Sequence, residues 1–508
     1  MAAEVQRWDY VEFSFPAGGF PGNPFIDVDF VAEFRHHHRT VKVDGFYDGD
    51  GVFKVRFMPD MDGAWSFVTY SNVEALDGQR GEFVCVPPTG DNHGPVRVSH
   101  RTHFAYADGT PYRPVGTTCY VWNHQGDELE AQTLETLKSA PFNKMRMCVF
   151  PKRYVYNMNE PPLYPFEGEP TRPWDRSLLN NYRDVEPPDF WDFSRFNPAY
   201  FRRLEQRILD LRALGIEADL ILFHPYDFGA WGFDRMPPEV NDRYLKYLVA
   251  RIAAFRNVWW SFANEYDLMM ERTEADWDHY FKLVQDLDPY DHLRSIHNCR
   301  GFYDHGKPWV THCSIQHHEL LKVPAWIQQY EKPVVIDECG YEGDIPFIWG
   351  SLSPEEMVIR FWLGFAAGGY VGHGETYWNE EEILWWSKGG TLRGESVPRI
   401  AFLRKIFESV PAPGLSPFRT DQEARQILPE GGWNKIAAGH IGTDYYLFYF
   451  GMHQPRFRRF HLPDGIYRID IIDTWNMTIE RFADDASGEI VVELPRRKYM
   501  AIRIERNR

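Results

Sequence analysis

The chain has 508 residues, 44% of them hydrophobic and 25% charged, with a formal net charge of −18. That length exceeds what one compact core supports, so about two to four domains are expected. The acidic balance argues against nucleic acid or an anionic membrane surface as a partner and is compatible with a neutral ligand.

Six cysteines (Cys85, Cys119, Cys148, Cys299, Cys313, Cys339) are scattered without a CxxC pair, several of them inside apolar runs. Cys serves there as a small hydrophobe, which predicts a reduced chain rather than a disulfide framework. The first residues, Met-Ala-Ala-Glu-Val-Gln-Arg-Trp, carry no apolar h-region, and no run is long enough to span a bilayer. A cytoplasmic location is the expectation. The composition leaves a homo-oligomer open.

Residues 1–98 read as a β-sandwich of immunoglobulin-like type. Short alternating runs such as Phe53-Lys-Val-Arg-Phe57 and Ala64-Trp-Ser-Phe-Val-Thr-Tyr70 lie between turn signals such as Asp48-Gly-Asp-Gly51 and Met61-Asp-Gly63. His36-His-His38 invites a metal reading, but neighbours on a strand point to opposite faces and three in a row cannot converge. A structural role is expected for the triplet.

From residue 99 to 410 strands alternate with helical patterns. Candidate strands are Tyr112–Tyr120, Asn143–Phe150, Ile216–Phe223, the run from Val258, Leu293–His297, Trp309–Ile315, Pro333–Glu338 and Gly368–Gly374. Eight such units predict a (β/α)8 TIM barrel within an α/β chain. Asn197-Pro198 caps a helix with Phe201, Leu204, Ile208 and Leu211 at helical spacing, Thr273 caps another, and Ser353-Pro-Glu-Glu356 reads as a capping box. Only residues 300–308 separate the fifth and sixth strands, short for a parallel crossover, which usually takes about a dozen residues. Either that crossover is irregular or one strand lies elsewhere. The Pro-, Tyr- and Trp-rich stretch 151–195 leaves the carboxyl-end face and is expected to wall a site there. Residues 411–508 return to short strands, a second β-sandwich.

Two strands end in carboxyl groups: Val258-Trp-Trp-Ser-Phe-Ala-Asn264-Glu265 and Pro333-Val-Val-Ile-Asp337-Glu338. Functional groups of a (β/α)8 barrel sit at these tips, and paired carboxylates there suit cleavage of a glycosidic bond. The high aromatic content, 16% with 18 Trp, fits sugar rings as well as large cores.

With Asn264-Glu265-Tyr-Asp267 after the fourth strand and Glu338 after the seventh, the chain resembles the clan-A glycoside hydrolases. The leading sandwich with Phe46-Tyr-Asp-Gly-Asp-Gly51 and the trailing β-domain bring it nearest to the family-5-like and apiosidase-like group. Tyr266 stands where the commoner clan motif has Pro. The resemblance implies Glu265 as acid/base, Glu338 as nucleophile, Arg146 beside the nucleophile, Asn264 on the sugar 2-hydroxyl, and Trp378 as the aromatic platform under the sugar.

His224, His297 and His317, which end strands three, five and six, are further candidates for substrate contact, and Trp122 and Tyr120 could line the pocket. Glu375 is the rival carboxylate. A retaining enzyme places its carboxyl groups about 5–5.5 Å apart and an inverting one about 6.5–9.5 Å. The leading expectation is a retaining, exo-acting glycosidase of small glycosides or oligosaccharides, with a carbohydrate as its partner. The alternatives are an inverting glycosidase and an inactive carbohydrate-binding barrel. No HExxH motif or tight His/Asp cluster is present, so neither metal nor cofactor is expected.

Overall fold

The structure, a computed structural model, describes residues 3–19, 22–171, 173–175, 177–178, 183, 186–431 and 436–507. At the N-terminus, strands Ala3–Gln6, Arg80–Val86, Gly63–Ser71, Phe30–His36 and Arg39–Asp44 form one sheet in that spatial order, and Val11–Pro16, Val52–Phe57 and Phe46–Tyr47 form a second. Alternation along each strand turns aromatic rings inward, and Phe13 of the second sheet lies 4.4 Å from Phe67 of the first. The histidine triplet does not converge. His36 is buried, stacks on Trp65 at 5.0 Å and hydrogen-bonds the Ala64 carbonyl, whereas His37 takes a positive φ of 52° in the turn.

The centre is a parallel sheet of eight strands: β1 Val115–Thr118, β2 Lys144–Cys148, β3 Glu217–Phe223, β4 Val258–Ala263, β5 Arg294–Ser295, β6 Cys313–Gln316, β7 Val334–Glu338 and β8 Tyr370–His373. Neighbours in sequence are neighbours in space, and β8 pairs with β1. Between β5 and β6 the ring is joined by the Thr311 amide donating to the Arg294 carbonyl at 2.9 Å and a parallel bridge between His297 and Ser314. The barrel is therefore near-closed, and the eight expected strands are its staves. The long first candidate strand is two elements: Pro111–Tyr112 pairs with His103–Tyr106 in a small antiparallel sheet before β1 begins.

Among the described residues, seven helices of eight residues or more surround the barrel: α1 Asp127–Ser139, α2 Pro198–Ala213, α3 Pro238–Ile252, α4 Glu274–Leu287, α5 Val323–Tyr330, α6 Pro354–Ala366 and α7 Ser396–Glu408. Asn197 accepts from the Ala199 amide, and Thr273 forms a full capping box with Asp276. Each such cap is worth about 1 kcal/mol. Ser353 accepts from the Glu356 amide at 3.2 Å. The short crossover between β5 and β6 contains no helix among the described residues, so the irregular alternative is the one the chain adopts.

Both β-rich ends pack on the barrel. Arg56 of the N-terminal sandwich donates to the Arg251 carbonyl at 2.6 Å and to Glu205 at 2.9 Å, while Arg251 pairs with Asp48 at 2.8 Å. The C-terminal sheet, ordered Ser416–Pro417, Ala437–Ile441, Tyr445–Tyr449, Met500–Arg506, Tyr467–Asp473 and Thr478–Ala486, meets α6 through Trp362 and Tyr449. Among the described residues no helix is long and apolar enough to cross a membrane.

Candidate active site

Successive residues of a strand face opposite ways, so Lys144 and Arg146 of β2 share one face, the interior of the barrel. Asp219 of β3 and Asp337 of β7 meet them there. Lys144 lies 2.5 Å from Asp219 and 2.7 Å from Asp337, and Arg146 lies 3.5 and 3.4 Å from the same two. All four are fully buried. Two cations against two anions leave this layer neutral, which is the condition for ionised groups to persist in a dry interior.

Arg146 also reaches upward, donating to Asn264 Oδ1 at 2.8 Å, and Tyr120 donates to the same oxygen at 3.2 Å. The acceptor side of Asn264 is thereby filled, and Nδ2 has no protein acceptor among the described residues. Glu265 follows with φ 48° and ψ 54°. A non-glycine residue in this left-handed region costs about 1–2 kcal/mol. It is held by the backbone on both sides: the Asn264 amide donates to the Phe223 carbonyl and the Tyr266 amide to the His297 carbonyl, each at 3.0 Å. Asp267 clamps the loop beyond β5 by accepting from the amides of Cys299, Arg300 and Gly301 at 2.6–2.9 Å.

Both glutamates are raised above the ordinary carboxyl range, by unequal surroundings. Burial, together with the negative charge of Glu338, pushes the Glu265 carboxyl up to about 7, against weaker support from Lys152, Cys299 and Gln316. Burial also raises Glu338, but more groups oppose it: the Tyr341 hydroxyl donates to Oε1, and Arg146 and Lys152 contribute positive charge. The other oxygen, Oε2, has no hydrogen-bond partner among the described residues. His297 Nε2 lies 3.6 Å from it, and burial and the Arg146 charge hold that ring well below the ordinary histidine range, hence neutral. Both carboxyl groups sit deep: Glu265 is 7% exposed and the Glu338 side chain 12%.

An aromatic wall surrounds them. Tyr120, Tyr341 and Trp386 are buried in one cluster, with Tyr154 and Trp349 packed against it. Lys152, which opens the loop after β2, enters this cluster. Its Nζ lies 3.8 Å from the ring centre of Tyr120, 4.1 Å from Tyr226, 4.9 Å from Trp386 and 5.3 Å from Tyr154. The start of the 151–195 stretch therefore reaches the glutamates. The hairpin of Phe166–Gly168 and Trp191–Phe196 packs elsewhere, on Tyr247 and Phe233. Residues 172, 176, 179–182, 184 and 185 of that stretch lie outside the described ones.

Several expected residues do not meet the glutamates. His224 is committed to backbone, with Nδ1 accepting from the Tyr226 amide and Nε2 against the Phe150 carbonyl. His317 stands at the rim, accepts from the Glu319 amide at 2.9 Å and packs on Trp326. Trp122 is fully buried in the core, its indole N–H on Met147 sulfur at 3.4 Å, and has no face to offer a ligand. Trp378 is 53% exposed, and Trp386 is the post-β8 indole beside Lys152 and Tyr341. Glu375 sits in a separate buried group with Glu342 and His373, whose ligating atoms lie within 4.8 Å of one another. There Glu375 accepts from the Arg393 and Gly394 amides and Glu342 from those of Glu395 and Ser396 and from the Tyr377 hydroxyl. These carboxylates tie two barrel-top loops to the start of α7.

Sequence reasoning missed Lys152, Tyr341 and Trp386. Tyr341 carried a faint signal, three residues past Glu338. Lys152 carried none, because a lone lysine in a loop reads as a solvated surface charge.

Residues 99–412 match the family described as "Apiosidase-like, catalytic domain", and residues 4–72 and 433–505 match two domain families of unknown function. No curated protein matches the chain. Among solved structures, a protein from Bacteroides vulgatus described as a candidate glycoside hydrolase is 40% identical, with a TM-score of 0.89 over 99% of this chain and all of that one. A glycoside hydrolase family 5 protein, also from Bacteroides vulgatus, shares the fold at 16% identity, with a TM-score of 0.59 over 82% of this chain and 94% of that one. A third structure, described only as a glycoside hydrolase, aligns at 15% identity with a TM-score of 0.60 over 82% of this chain and 98% of that one. The chain belongs to the apiosidase-like catalytic domain family and is a glycoside hydrolase of the clan-A group.

Proposed function

We propose that the enzyme is a retaining, exo-acting glycosidase of small glycosides or oligosaccharides, with Glu265 as acid/base and Glu338 as nucleophile. The observation that carries this reading is the unequal support of two buried carboxyl groups at the β4 and β7 tips. One is pushed up to about 7, where it holds a proton near neutrality. The other has a hydroxyl donor and two cations that favour its ionised form. Such a split is what acid and nucleophile require.

In the first step a Glu338 oxygen bonds to the anomeric carbon as the glycosidic C–O bond breaks. Glu265 gives its proton to the departing oxygen, which leaves as an alcohol. In the second, Glu265, now a carboxylate, takes a proton from water. The water oxygen bonds to the anomeric carbon and Glu338 departs as carboxylate. Asn264 Nδ2 is free to donate to the sugar 2-hydroxyl while Arg146 and Tyr120 fix its other end. The enclosing Tyr120–Tyr154–Trp386 wall supports attack at a chain end, and the family name directs a substrate screen to apiosides and other furanosides. A reducing compartment suits the six unpaired cysteines, in keeping with a cytoplasmic enzyme.

The test is Glu338→Ala. Turnover should be lost with the fold intact, and azide should restore cleavage with inverted anomeric configuration in the azide adduct. Undiminished activity, or a wild-type first product of inverted configuration, removes the double-displacement reading.

A further inference from the structure

The mouth of the barrel holds more negative than committed positive charge, and one cation among the described residues there has no carboxylate partner. Arg146 and Lys144 are matched by Asp219 and Asp337. Arg153 pairs with Glu160. His297 and His224 are neutral, because burial holds both rings well below their ordinary range. Lys152 remains. It is 3% exposed, and among the described residues no carboxylate or carbonyl pairs with its Nζ. Its neighbours are π faces, which accept a cation without neutralising it. The charged or titratable groups facing it are Glu265 from the β4 tip, Glu338 from the β7 tip and Cys148 from β2, with His224 and Tyr226 beyond β3, Tyr120 beyond β1 and Tyr154 in its own loop.

The double displacement, on which this inference rests, conserves one negative charge on the glutamate pair. Before glycosyl transfer the charge is on Glu338. When Glu338 becomes an ester it is neutral, and the proton that left Glu265 leaves the charge there. We propose that Lys152 is the counter-cation of this moving charge, pairing electrostatically with Glu338 in the free enzyme and with Glu265 in the glycosyl-enzyme. It is a positioning residue that acts through the two carboxylates. The aromatic cage holds the ammonium within electrostatic reach of both and hydrogen-bonded to neither, so it serves both states without rearrangement. Burial pulls the ammonium down to about 8, while Cys148 and both glutamates pull it back up, so it carries its proton at neutral pH.

Lys152→Met and Lys152→Arg test this, with Lys152→Gln as a second neutral variant should the methionine protein not fold. The readouts are the pH profile of kcat/KM and the single-turnover rates of the two half-reactions on an activated aryl glycoside. A nearby opposite charge lowers a carboxyl pKa by about 1–3 units. The neutral variants should therefore raise the acid limb by at least about 1 pH unit and slow both half-reactions about tenfold or more, and Lys152→Arg should return the limb toward its wild-type position. An unmoved acid limb, with a loss that is equal at every pH or absent, overturns the proposal. So does slowing of only one half-reaction. Glu338→Ala run in parallel separates the failures. If that variant stays active the two-carboxylate reading falls. If it is dead and azide-rescued while Lys152→Met keeps the wild-type limb, only the role of Lys152 falls.

Discussion

Replacing Asp337 by Asn changes one atom type in the neutral layer beneath the glutamates. Asp337 is 1% exposed, accepts from Lys144 at 2.7 Å and Ser314 at 2.5 Å, and lies 3.4 Å from Arg146. Burial alone would raise its carboxyl, but Lys144 and Arg146 outweigh burial and hold it well below the ordinary range. The Asp337→Asn substitution would leave Lys144 and Arg146 with Asp219 as their only carboxylate. Breaking a buried ion pair by removing one partner costs about 3–5 kcal/mol. At neutral pH the barrel should lose that much, read as a fall of about 1 M or more in the urea midpoint.

The sign with pH follows from the depressed carboxyl. Its stabilisation is present above the unfolded-state value of about 3.9 and is lost as pH falls below it, so the gap between the two proteins should narrow only under acid. Removing a cation as well restores the balance: Lys144→Met combined with Asp337→Asn should be less damaging than the sum of the two by about 1 kcal/mol or more. A loss under about 1 kcal/mol for Asp337→Asn, or strict additivity in the double variant, would refute the neutral-layer argument.

Tyr341→Phe removes the hydroxyl that donates to Glu338 Oε1. A hydrogen bond to a charged group is worth about 1.5–3 kcal/mol, so the carboxyl should hold its proton to a pH about 1–2 units higher. The acid limb of kcat/KM should rise accordingly while the basic limb, set by Glu265 near 7, stays; an unmoved acid limb would show that this hydroxyl does not support an ionised Glu338. Trp386→Ala should cost more than about tenfold in kcat/KM, because the indole packs on Tyr120, Tyr341, Trp349 and Lys152. Trp378→Ala, at an exposed position, should stay within about 0.5 kcal/mol, about a twofold change. The reverse order would return the platform role to Trp378.

The sequence by itself determined the architecture and marked two carboxyl groups at the tips of its strands. Eight β-branched or aromatic runs at βα spacing admit little besides a (β/α)8 barrel, and a run such as Val258–Ala263 ending in Asn264-Glu265 marks its own tip. Helix caps at Asn197 and Thr273 were legible because they depend on neighbours two or three residues away. What the tertiary structure decided is which polar side chains share a space. His224 and Trp122 lie beside the right strand ends, yet one is bound by backbone and the other faces the core, since side-chain direction beyond a strand tip has no period to read. Trp386 rather than Trp378 packs on Tyr120, Tyr341 and Lys152 because the loop after β8 folds back before α7. Lys152 acquires its meaning only from four rings contributed by separate loops and two carboxylates on different strands. Local periodicity writes the scaffold into the chain, whereas the charge balance at the mouth arises only when loops far apart in sequence converge.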